Sequence, residues 1–131
     1  MRFSTTAPQE ERIIAMALFN FDEEEQAYTA EIDKVKFICE EVQEGYEDTA
    51  RKIAEVYEDK LPELAEFILA DVEDIFEDIT AADVMEALGE PLVDLDRETV
   101  TYLEHTLDDI HLIEVEYEGI LEDLLGVSLD G

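Results

Sequence analysis

The segment Ile113-Glu114-Val115-Glu116-Tyr117-Glu118 alternates an apolar residue with a glutamate throughout. A period of two marks a strand with one buried and one wetted face, because successive side chains leave a pleated backbone on opposite sides. Glu118-Gly119 behind it is a turn signal. Val100 and Tyr102 ahead of it and Gly126-Val127-Ser128-Leu129 beyond it are further strand formers. Residues 92–130 are therefore expected to form a small antiparallel β-meander. A helical parse competes. Val100, Leu103, Leu107, Ile110, Ile113 and Tyr117 also fit a helix that begins after Asp96, which would make the chain an all-α bundle. The β-branched content and the alternating glutamates favour strands, so the expected class is α+β.

Ahead of the meander the pattern changes to a helical one. Thr80 with Asp83 resembles a capping box before Val84, Met85 and Leu88, and Gly89 then Pro91 close that short helix. Leu61, Leu64, Ala65, Ile68, Val72, Ile75 and Phe76 form one apolar stripe, and Tyr46, Ala50, Ile53 and Tyr57 form another. Pro62 disfavours helical geometry at Leu61, so a break or kink is expected there. Tyr28, Ile32, Val35, Cys39 and Val42 step by four and three, which predicts a helix that Gly45 stops. The helical middle thus spans about 30–88. Ile13 to Phe21 is apolar on both faces and reads equally as a buried strand or as a helix started near Thr6 with Pro8 and Glu10 in its first turn.

The 131 residues suit a single domain, 1–131, and 47% hydrophobic content is enough for a core, which argues against disorder despite the charge. That charge is extreme: 8 Lys and Arg against 38 Asp and Glu give −30. Residues 1–60 hold seven of the basic groups and 16 acids, net −9, whereas residues 61–131 hold only Arg97 against 22 acids, net −21. A folded chain of this mass exposes roughly 7,000 Å², or one net charge per ~235 Å². B-DNA carries one charge per ~1.7 Å of axis, which is about one per 110 Å² of its cylinder. The protein averages near half the density of DNA.

The same imbalance excludes direct binding to nucleic acid or to an anionic membrane, since no run of Lys and Arg forms a basic patch. The apolar run 13–21 is too short to span a bilayer, and Gln9-Glu10-Glu11 stands where a signal peptide would be basic. Cys39 is the single cysteine and has no intrachain partner for a disulfide. These features suit the cytoplasm.

Catalytic chemistry finds little footing. The glycines match neither phosphate-binding fingerprint, and Cys39 sits within an apolar stripe as a packing residue does. Asp94, Asp96 and Glu98 begin like a calcium loop, but Thr99 and His105 occupy the positions that need Gly and Glu. His105, Asp108 and His111 are weak metal candidates if a turn brings the histidines together across two strands. No cofactor and no enzymatic activity are expected.

Size, acidity and acid-studded helices such as Glu55 to Asp78 resemble phage-type DNA-mimic proteins that block restriction and other nucleic-acid enzymes. The C-terminal run Tyr102-Leu103-Glu104-His105, Asp108-Asp109-Ile110-His111, Glu116-Tyr117-Glu118-Gly119 and Ser128-Leu129-Asp130-Gly131 resembles the tail of small bacterial immunity-like proteins. Both resemblances imply an inhibitor that occupies a basic partner: a nucleic-acid-binding enzyme or a toxin. The expected contact surface is Asp71, Glu73, Asp74, Glu77 and Asp78 with Glu114, Glu116 and Glu118, the last three spaced about 7 Å apart on one strand face. Two other classes stay open: an acidic structural or interaction protein of a salt-adapted host, including a homodimer, and a His–carboxylate metal-binding module.

Overall fold

Thr80 caps a helix as its neighbours require. Its hydroxyl accepts the Asp83 N–H while the Asp83 carboxylate accepts the Thr80 N–H, so two otherwise orphaned donors are satisfied reciprocally. In a computed structural model, which describes residues 18–108 and 111–130, this helix is α2, Ala81–Leu88. It follows α1, Tyr46–Val72. The remaining described elements are strands β1 (Asn20–Asp22), β2 (Ala27–Ile32), β3 (Val35–Cys39), β4 (Leu92–Asp94), β5 (Thr99–Tyr102), β6 (Leu112–Glu118) and β7 (Asp123–Asp130).

The class is α+β. The seven strands form one sheet in chain order, and every neighbouring pair is antiparallel except β3 and β4. Both helices are inserted at that parallel step, because parallel neighbours need a long crossover. β4 to β7 form the expected meander, with Val115 of β6 opposite Val100 and Val127. The sheet is nonetheless larger than that meander, since β1 to β3 add to its other side.

The helix expected over Tyr28–Val42 is instead the β2–β3 hairpin. Tyr28, Ala30 and Ile32 face one side and pair with Cys39, Phe37 and Val35. Asp33 and Lys34 between them both take positive φ, 49° and 70°, as a type I′ turn demands. Gly45 does not stop a helix but caps the start of α1, at φ 91°, a left-handed conformation that glycine adopts without steric penalty. Pro62 does not break α1 either; the helix runs through it to Val72. Of the apolar run 13–21, residues 13–17, with the proposed start at Thr6, Pro8 and Glu10, lie outside the described residues. Residues 20 and 21 belong to β1.

One core joins the layers. Ala50, Ile53, Tyr57, Leu64, Ile68 and Val72 of α1 pack with Phe37, Val93, Val100, Tyr102, Ile113, Val115 and Tyr117 of the sheet. Among the described residues no helix is long and apolar enough to cross a membrane.

Candidate functional site

The charge imbalance has a spatial origin in the helical layer. Arg51 pairs with Glu47 at 3.1 Å, Lys52 with Asp48 at 3.0 Å and Lys60 with Glu63 at 3.8 Å, all along the first part of α1. From Leu61 to Asp96 the chain has no Lys or Arg and 12 Asp and Glu. Asp71 lies in the last turn of α1, a turn with no basic residue, and Glu73, Asp74, Glu77 and Asp78 follow in the exposed connection to α2. Acids at a helix C-terminus meet the negative end of the helix dipole. Among the described residues no basic side chain pairs with these acids to offset the repulsion at this end of α1.

Glu114, Glu116 and Glu118 do not join that surface. They alternate along β6 with Ile113, Val115 and Tyr117, which are buried beneath the helices, so the glutamates face away from the helical layer. Their neighbours are Thr101 and Ser128 beside Glu114, and Thr99 and Gly126 beside Glu116. Glu114 is half-buried and accepts a 2.9 Å bond from Arg97. The eight acids expected to form one contact surface thus divide into two groups on opposite faces of the sheet. Alternation already puts these glutamates on the wetted face; what it does not contain is that the α1 acids lie on the other side of the sheet.

A second acidic feature is non-local. Glu63, Glu66, Phe67 and Ala70 of α1 and Glu122, Asp123 and Leu124 at the start of β7 line an open groove of about 470 Å³. Its lining combines apolar Phe67, Ala70 and Leu124 with four exposed carboxylates at the rim. The cation nearest to them in an ion pair is Lys60, on Glu63; among the described residues Glu66, Glu122 and Asp123 have none. Such a groove suits a Lys or Arg side chain, whose stem covers apolar surface while its head meets carboxylates. Sequence reading missed it because α1 and β7 meet only in the folded chain. The adjacent Glu122-Asp123 after a turn was the only local signal.

Elsewhere the acids hold the fold. Asp94 Oδ1 accepts the N–H groups of Asp96 and Arg97 at 3.0 and 3.1 Å. Asp96 accepts the Glu40 N–H at 2.7 Å and the Tyr46 hydroxyl at 2.6 Å. The stretch that begins like a calcium loop is therefore the β4–β5 turn. Burial, with Asp96 and Asp94 nearby, pushes the Cys39 thiol up to about 11, so it carries no reactive thiolate at neutral pH.

His105 is buried in the β5–β6 connection. Its Nδ1 accepts the Leu107 N–H at 3.2 Å, which leaves Nε2 to donate to the His111 carbonyl at 2.5 Å. Both ring nitrogens are occupied by backbone. His111 Nδ1 lies 2.7 Å from Asp108 Oδ2. The histidines do not face each other across two strands, and among the described residues no group of three or more His, Cys, Asp or Glu is placed to hold a metal ion.

No protein-family model, no curated protein and no solved structure matches the chain.

Proposed function

We propose that the protein is a non-enzymatic binding protein that inhibits or neutralises a basic partner, of the nucleic-acid-binding or toxin kind, by presenting it with an anionic helical face. One observation carries this reading: the 12 acids between Leu61 and Asp96 have no cation among them in sequence, and those at the C-terminal end of α1 stand where the helix dipole already disfavours them. Such an arrangement opposes folding and favours fast, salt-sensitive encounter with a basic surface. The contact surface narrows to Asp71, Glu73, Asp74, Glu77 and Asp78 with the groove rim. Glu114, Glu116 and Glu118 belong to a separate face.

The test is capture from a host lysate at low salt by the native chain and by a D71K/D74K/D78K variant. Basic, nucleic-acid-binding proteins should stay on the native chain, leave it between roughly 0.1 and 0.5 M salt, and be displaced by added duplex DNA. Identical capture by the variant, or indifference to DNA, would overturn the proposal.

A further inference from the structure

We infer that β7 is a docking edge for an extended basic segment of the partner, which adds as an eighth strand and seats a Lys or Arg in the α1–β7 groove. The inference rests on the acidic-binder reading and gives its partner a conformation. β7 is the last strand of the sheet, and its outer side is unpaired among the described residues. A strand edge offers N–H and C=O groups to any extended chain that reaches it.

Three features make this edge selective. Leu124 to Leu129 is the longest uncharged run in the described residues, so the middle of β7 can approach another backbone without burying a carboxylate. Glu116 pairs with Gly126 and Tyr117 with Leu124, which leaves Leu125 as a bulge, 54% exposed. A bulge bends the edge away from indiscriminate pairing and confines regular pairing to the stretch from Gly126 onward. Finally, the rim carboxylates Glu63, Glu66, Glu122 and Asp123 stand where β7 begins.

Charge complementarity selects the occupant. A second copy would bring another net −30 against the same rim, and like charges placed opposite each other disfavour that pairing. A strand with alternating basic residues places every second side chain on the helix side, toward Phe67, Leu124 and the carboxylates. Its other face lies level with the outer face of the sheet.

The probe is a synthetic peptide of alternating Lys and Val, as long as the eight residues of β7, titrated into the native chain while hydrogen exchange is read at single amides. Saturable binding with new protection at β7 amides from Gly126 to Leu129 is expected. Binding should weaken about tenfold in E66K/D123K and stay unchanged in E23K/E24K, which carries the same change of net charge at the β1–β2 turn. Saturable binding that protects no β7 amide, or that weakens equally in both variants, would overturn the docking edge and leave the acidic-binder reading standing. No saturable binding at low salt would remove both. A dimer of the free chain in sedimentation, dispersed by E66K/D123K, would assign the edge to a second copy and overturn the inference.

Discussion

The hydroxyl groups of Tyr57 on α1 and Tyr102 on β5 lie 2.5 Å apart in the core and satisfy each other. Tyr102 is fully buried and Tyr57 nearly so, and each is the other's only hydrogen-bond partner among the described residues. The pair ties the helical layer to the middle of the sheet. Tyr57→Phe should therefore cost about 1–3 kcal/mol, because it leaves the Tyr102 hydroxyl buried without a partner. The double variant Y57F/Y102F should lose less than the sum of the two single changes. Urea unfolding of the four chains measures both quantities.

The same burial predicts a sharp alkaline limit. Desolvation pushes Tyr57 from 10.0 up to about 12, and Tyr102 and Tyr117 also upward. Burial raises Cys39 from 9.0 to about 11. In each case the folded state holds its proton to higher pH than the unfolded state does. Stability should be full below about pH 9 and fall as pH rises from there toward 11 and 12. Melting curves between pH 8 and 12, with tyrosinate absorbance recorded alongside, should show these phenols ionising only as the chain unfolds. Early, non-cooperative ionisation of all five tyrosines would contradict it.

Asp96 joins three parts of the fold. From the β4–β5 turn it holds the Glu40 N–H beyond β3 and the Tyr46 hydroxyl at the start of α1. Asp96→Ala should destabilise by about 1.5–3 kcal/mol, the range for hydrogen bonds to a charged group. This holds even though the change removes one negative charge from a chain that repels itself. Raising KCl should not restore the loss, because screening does not replace the missing acceptor; guanidinium-free urea melts at low and high KCl would show this.

Charge reversal at the end of α1 should have the opposite sign. Asp71→Lys places a cation beside the helix C-terminus and should stabilise by about 0.3–1 kcal/mol at low salt, with a smaller gain in high salt. The same variant should hold its basic partner less well. A chain both less stable and equally adhesive would contradict the placement of function at this helix end.

Local chemistry was legible in the sequence and long-range geometry was not. The Thr80–Asp83 cap and the Ile113–Glu118 strand each depend on residues within one turn or one pleat, and both form as expected. The hairpin of β2 and β3 is ambiguous in sequence because Tyr28, Ile32, Val35 and Cys39 satisfy a helical stripe as well as two alternating strands. The turn that separates those strands places Lys34, at positive φ, where a glycine usually follows the aspartate. Pro62 disfavours the helix locally, yet the packing of Leu64, Ala65 and Ile68 in the core carries the helix past it. The division of the acids between two faces followed from where α1 and α2 return to the sheet, which no count of carboxylates contains. The groove needed α1 and β7 side by side.

The parallel pairing of β3 with β4 sets an order of assembly. β3 ends at Cys39, and its neighbour β4 begins only at Leu92. During synthesis the β2–β3 hairpin emerges early, with one edge exposed until residues 92–94 leave the ribosome. Joining the two parts of the sheet closes a loop containing both helices, and such distant contacts form slowly. Refolding followed by pulsed hydrogen exchange should therefore protect the amides paired between β2 and β3 before those paired between β3 and β4.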